Sequence, residues 1–312
     1  MKENQNNNID DFDGEIDLYE LFSILWSKKK VIVSITIFTS TLGLILSLLL
    51  PNIYESKALL NPINASNSIS RAFQNYSGFA GLAGVNLPAE TDNGNSTKAI
   101  NKLTTLSFFE NQILPNIYLP DLMALKSWDS KKNILNYDKS TYDISTNTWV
   151  RDYSYPQKQI PSPQESFELF IEDNLNLIED KDTGFITLSI KHKSPVIAKQ
   201  WVEIIVNELN AYYRGKDKSE SEKAISFLNK QISMTNISEV KEAISQLLQD
   251  ETKKLTLIEA NEFYVFEYID PPAIMEKKSE PKRALICIFS AFLGGLIGVI
   301  YVMLKHYFMR KL

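Results

Sequence analysis

The hydrophobic pattern breaks the chain into long polar stretches and two unbroken apolar runs. Residues 31–50 (VIVSITIFTSTLGLILSLLL) are 20 residues without a charge, and residues 284–304 (ALICIFSAFLGGLIGVIYVML) are 21 more. At about 1.5 Å per residue each run makes a helix about 30 Å long, the thickness of a hydrocarbon core, so each predicts a transmembrane helix. The first run does not read as a signal peptide. Thirty residues precede it, seven of the first 27 are acidic, and Pro51-Asn52-Ile53 offers no small-residue cleavage pattern.

Elsewhere the periodicity is that of short elements. Residues 1–14 are polar, rich in Asn, and predicted disordered. Residues 15–27 (EIDLYELFSILWS) place apolar residues at helical spacing and predict an amphipathic helix at the membrane face. Residues 54–61 read as a strand, 64–98 as a low-order segment of small residues, and 97–113 as a helix. Residues 115–163 give no assignment, and 166–177 read as a short helix or strand. Residues 185–191 predict a strand with Phe185, Leu188 and Ile190 on one face. Ser194 and Pro195 then open a helix whose apolar face is Ala198, Trp201, Val202, Ile205, Val206, Leu209 and Tyr212.

Residues 217–261 contain no Pro or Gly and carry two apolar stripes, Ile225–Leu228–Ile232 and Ile237–Val240–Ile244–Leu247/Leu248–Leu255–Ile258. As one helix they would run about 68 Å. A strand pattern at 263–270 and the second span follow closely, so a hairpin turning near residues 235–238 is predicted, with Asn236 and Glu239 as a capping box. The alternative is one long helix projecting from a small base.

Charge adds direction. The chain has 33 basic and 38 acidic residues, a net charge of −5, and is 44% hydrophobic. That balance excludes a strongly basic nucleic-acid binder. Cys287 is the single cysteine, so no intrachain disulfide is possible. Lys28, Lys29 and Lys30 before the first span place the N-terminus in the cytoplasm, and Lys305, Arg310 and Lys311 put the C-terminus on the same side. Lys277, Lys278, Lys282 and Arg283 oppose this, and the first span is taken to dominate. The expected organisation is a cytoplasmic tail at 1–30, spans at 31–50 and 284–304, an external domain at 51–283, and a short tail at 305–312. The external part then holds 26 basic and 31 acidic residues and so the whole net charge.

Catalytic motifs do not emerge. Gly215-Lys216 has neither the upstream glycine nor the following Ser/Thr of a phosphate loop. His192 and His306 have no ligand partners at metal spacing, and His192 reads as a solvated polar residue. Glu179-Asp180-Asp182 reads as a turn, and Asp10-Asp11-Asp13 lies in the tail. No GxSxG is present. No cofactor or metal is expected. What remains is packing. Gly294 and Gly298 form a GxxxG in the second span, and Thr39, Gly43 and Ser47 lie four apart in the first. Pro271, Pro272 and Pro281 predict a stiff, extended approach to the second span.

This organisation resembles the Wzz family of polysaccharide co-polymerases, the chain-length determinants of lipopolysaccharide O-antigen. The similarity is carried by Glu15-Ile16-Asp17-Leu18…Leu21…Leu25-Trp26-Ser27-Lys28-Lys29, by Tyr54-Glu55-Ser56-Lys57-Ala58 with Pro62, by His192-Lys193-Ser194-Pro195…Ala198…Trp201, and by Pro271-Pro272…Pro281-Lys282-Arg283. The resemblance implies an α+β periplasmic domain, a small mixed α/β base with long protruding helices, between two transmembrane helices. It also implies a non-enzymatic protein of the bacterial inner membrane that forms ring-shaped homo-oligomers, often octamers. Its implied partners are a Wzy-type polymerase, lipid-linked polysaccharide and membrane lipids, not nucleic acid. The alternatives are a two-span periplasmic sensor and a membrane-tethered glycan-modifying enzyme.

Overall fold

A computed structural model describes residues 18–63, 94–261 and 263–310. The expected disorder of 1–14, the first residues of the amphipathic helix, most of the small-residue segment and Lys311 lie outside the described residues. The chain divides into two units, one formed by Met1–Pro51 with Glu280–Leu312 and the other by Asn52–Ser279.

In the first unit, helix Leu18–Ser27 precedes the first span helix, Lys29–Leu49. Phe22 and Trp26, four residues apart, stack at 5.9 Å, and the Lys29 ammonium lies 4.5 Å above the Trp26 ring. The second span helix runs Arg283–Arg310. It continues past the predicted end at 304 because hydropathy stops at Lys305, whereas Lys, His, Tyr and Arg all tolerate helical backbone. Both helices are long and apolar enough to cross a membrane.

The second unit is built on strands β1 (Tyr54–Pro62), β6 (Leu175–Glu179), β7 (Ile186–His192) and β8 (Phe266–Asp270). Between them in sequence come β2 (Leu125–Asp129), β3 (Ile134–Tyr137), β4 (Tyr142–Asp143) and β5 (Thr148–Trp149). The main sheet is antiparallel throughout, in the order β6-β7-β1-β8. Its register puts Ala58 opposite Leu188 and Ser56 opposite Ile190. One face therefore presents Ala58, Leu60, Ile186, Leu188 and Ile190 to the core, all buried. The inward set begins at Ile186 rather than at the expected Phe185. Gly184, at φ 71°, closes the β6–β7 turn and the strand's alternation starts after it. In that turn the exposed Asp180 carboxylate accepts the Asp182 and Thr183 N–H groups, and these bonds hold its pKa below the usual range.

The long helix, Pro195–Met234, lays Ala198, Trp201, Val202, Ile205, Val206, Leu209 and Tyr213 against this sheet. Tyr213 is the buried tyrosine of the pair, and Tyr212 is half-buried beside it. Ser194 holds the cap position without a side-chain bond; its own N–H instead donates to His192 Nδ1 at 3.1 Å. The helix runs unbroken through Gly215, so it and the expected helix beginning at 217 are one element.

The chain then turns over Thr235–Ile237 and returns as helix Ser238–Ala260. Arg214 donates to the Asn261 carbonyl at 2.7 Å and Lys218 pairs with Glu259, which fixes the antiparallel hairpin near its base. The expected Asn236 capping box does not form. Ile237 takes the cap position, and it makes no side-chain cap bond among the described residues. The polar stretch 115–163 holds a short helix, Leu119–Met123, and the hairpins β2–β3 and β4–β5. Tyr142 is fully buried there against Trp149 and Tyr137. Arg151 forks onto Glu165 and also donates to the Lys158 and Gln159 carbonyls.

Candidate functional site

In the unit formed by the chain ends, the small residues named from the sequence meet in one interface between the two span helices. Gly43 faces Ser290. A side chain at Gly294 would meet Thr39 and come within 3.0 Å of the Thr36 Cα, and one at Gly298 would come within 3.1 Å of the Ile32 Cα. The helices approach to backbone contact at both glycines, which only a missing Cβ permits. The neighbouring hydroxyls are turned inward to their own helices. Thr36 donates to the Ile32 carbonyl at 2.9 Å, Thr39 to Ile35 at 3.1 Å, and Ser290 to Cys287 at 3.0 Å. Satisfied this way, the Ser290 and Thr39 hydroxyls can lie on the seam itself, as the atoms nearest Gly43 and Gly294. Ser47 is fully buried on the same face, and its hydroxyl has no hydrogen-bond partner among the described residues.

The proline segment before the second span behaves differently from a free spacer. Pro272 is buried and Pro271 exposed. Ser56 Oγ donates to the Ala273 carbonyl at 2.9 Å, and Ser279 donates from both N–H and Oγ to the Ile53 carbonyl. These bonds lace residues 273–279 to the entry of β1. Pro281 is half-buried at the foot of the second span helix, where its carbonyl accepts the Arg283 N–H at 2.9 Å.

In the other unit the residue most at odds with its sequence reading is His192. It is buried at 5% exposure, not solvated, because β7's alternation carries it inward onto Trp201, with ring centroids 4.9 Å apart. Its Nδ1 accepts the Ser194 N–H, so its Nε2 donates to the Asp121 carbonyl at 3.1 Å. Burial brings its pKa down to about 4, so the ring is neutral at pH 7. Asp121 is half-buried. Desolvation raises its pKa, while the Tyr137 hydroxyl, donating at 2.6 Å, opposes the shift. Beside it the Tyr118 phenol lies 2.5 Å from Tyr142 Oη, and that bond together with burial pushes it up to about 12.

Asn210 escaped the sequence reading as well. Its side-chain oxygen accepts the backbone N–H groups of Tyr264, Val265 and Phe266, and its amide donates to the Phe266 carbonyl at 3.0 Å. An isolated Asn inside an apolar helix face is the one signal that could have revealed it.

The hairpin leaves apolar side chains uncovered. Ile225, Leu228 and Ile232 are half-buried, but Phe227, Met234, Ile237, Val240 and Leu247 are exposed. Among the described residues no group of three His, Cys, Asp or Glu side chains is placed to hold a metal.

Comparison with known proteins finds similarity to one family over part of the chain. The model of the Wzz family, chain length determinant protein, matches residues 14–106. The ferric enterobactin transport protein FepE of Escherichia coli (strain K12) is 22% identical, over 94% of this chain and 89% of its own length. A full-length bacterial polysaccharide co-polymerase aligns with 94% of this chain and 99% of its own at 13% identity, with a TM-score of 0.37. A fragment of WzzB, a polysaccharide co-polymerase from Salmonella Typhimurium, aligns with 73% of this chain and 100% of its own at 12% identity, with a TM-score of 0.34. The match over residues 14–106 takes in the first apolar helix, β1 and the helix Gly94–Leu103, and over that stretch the chain is similar to the Wzz chain length determinant proteins.

Proposed function

We propose that the chain sets the modal length of lipopolysaccharide O-antigen, or of a related surface polysaccharide, without catalysing a reaction itself. It works as a two-pass homo-oligomer of the bacterial inner membrane, with both termini cytoplasmic and the Asn52–Ser279 unit in the periplasm. Its partners are a Wzy-type polymerase and the lipid-linked polysaccharide that the polymerase extends. The observation that carries this reading is the chain length determinant match over a first span and β1 that belong to a two-span chain with one large intervening unit. The glycine-seamed span pair supports anchoring as a closed helix pair, and the exposed apolar hairpin supports assembly with further copies.

The test is a polysaccharide gel from a deletion strain and the same strain complemented. Polymer that is still made but has lost its preferred length, restored on complementation, is the expected result. Loss of all polymer would indicate an enzyme or exporter instead. An unchanged ladder with lost uptake of a ferric siderophore would replace the reading with the ferric enterobactin transport for which the E. coli relative is named.

A further inference from the structure

On the Asn52–Ser279 unit, one wall of an open groove of about 480 Å³ is the long helix, and the other is residues 116–121. Gln200, Glu203, Ile204 and Asn207 line the helix wall at i, i+3, i+4 and i+7, a single stripe. Asn116, Tyr118 and Asp121 line the facing wall. Buried Ile117 and Trp201, with half-buried Ile204, supply an apolar base.

The walls are rich in hydrogen-bonding groups that the protein does not use. Among the described residues, the Gln200 and Asn207 amides make no hydrogen bond. The Asp121 carboxylate is bonded, among the described residues, through Oδ1 to Tyr137, with Oδ2 left open to a ligand. The facing wall is also held in place before any ligand arrives. Tyr118 donates to Asn147 at 3.0 Å and touches the Tyr142 hydroxyl, so its half-exposed ring is fixed in orientation. The Asp121 backbone is pinned by buried His192, and the Asn116 amide is spent on Glu208 at 3.1 Å.

The charge pattern selects the ligand. Among the described residues no Lys or Arg lines the groove, and the nearby Lys199 is taken by Glu203 at 3.0 Å. A phosphate or a uronic acid would face Asp121 uncompensated. Amides and a carboxylate around an apolar base, with one fixed aromatic ring at the rim, match a ligand carrying paired hydroxyls on one edge and C–H groups on its face. We propose that this groove binds a neutral sugar residue of the growing polysaccharide. Gln200, Asn207 and Asp121 grip its hydroxyls, and Tyr118 lies against its ring. The inference rests on the proposed function and gives that function a point of contact with the glycan.

The full chain, solubilised in a detergent without a sugar headgroup, is titrated with neutral oligosaccharides released by mild acid from the parent cells' surface polysaccharide. The acidic fraction of the same hydrolysate runs in parallel. Saturation-transfer NMR and calorimetry are expected to show binding of the neutral fraction. The Gln200→Ala/Asn207→Ala variant, altered only at exposed helix positions, should bind at least tenfold more weakly with an unchanged melting temperature, and Tyr118→Ala should reduce saturation transfer to ring C–H protons. Equal affinity in the double variant, stronger binding of the acidic fraction, or no binding by the unaltered chain would each overturn the groove proposal. If the deletion strain loses its modal length while the double variant restores it fully, the groove is wrong and the chain-length function stands. If the deletion strain keeps its modal length, the function itself fails, whatever the groove binds.

Discussion

Asn210 joins the helix to the sheet through four hydrogen bonds from one side chain, in a site only 6% exposed. Asn210→Ala would leave three backbone N–H groups without that acceptor, and buried donors left unpaired cost about 1–3 kcal/mol each where water cannot reach them. The substitution should lower stability by about 2–4 kcal/mol, read as a drop in the urea midpoint with an unchanged slope. His192 makes a different prediction. Its pKa is about 4 in the fold against an ordinary 6.5, so between those values the unfolded chain binds the proton and the folded chain does not. Stability should therefore fall as pH drops from 6.5 towards 4, by up to about 3 kcal/mol from this group. Asp121, with its pKa raised, works in the opposite direction as it protonates and trims the loss. Melting temperatures across that window check the slope, and His192→Gln should flatten it. Neither residue was legible in the sequence. A hydrophobic pattern scores His and Asn as polar and outward, and only the partners supplied by distant segments make burial tolerable.

Elements were legible wherever one physical constraint dominated. The two long apolar helices were visible because each is an unbroken uncharged run, the pattern that a hydrocarbon core would demand. The hairpin turn was legible from chain geometry, since a straight helix would have left no return path to the strand that follows. β7 was placed but its inward face was mis-set at Phe185, because the left-handed Gly184 decides where the alternation begins. The 115–163 stretch was opaque, since it is held by particular pairings such as Arg151 with Glu165 of the following helix and Tyr142 with Trp149 rather than by periodicity. The span pair offers a test with an internal control. Gly294→Leu with Gly298→Leu would drive side chains into the Thr36 and Ile32 backbone and cost about 1–3 kcal/mol of packing. Gly295, whose added Cβ would meet only Thr36 Oγ1 at 3.8 Å, should accept Ala freely. The expected gel shows a broadened or lost modal length for the double substitution and a normal ladder for Gly295→Ala. A normal ladder from both would remove the seam from the proposed mechanism.

For the whole molecule, the exposed hairpin residues predict assembly. Phe227 and Met234 lie seven apart on the outgoing helix, as do Val240 and Leu247 on the returning one, so each pair shares a face. Phe227→Ser with Leu247→Ser should reduce the mass of the detergent-solubilised particle by light scattering and leave the circular dichroism intact; an unchanged mass would place the subunit contacts elsewhere. The order of the main sheet has a further consequence, for biosynthesis. β1 lies between β7 and β8, and Ser56 at its start is bonded to Ala273, 217 residues later. At about 5–20 residues per second, the ribosome takes about 10–40 s to supply that partner. Until β7 emerges β1 has neither neighbour, and until β8 emerges one of its edges stays open, so the nascent chain is a client for a holding chaperone until its last strand emerges.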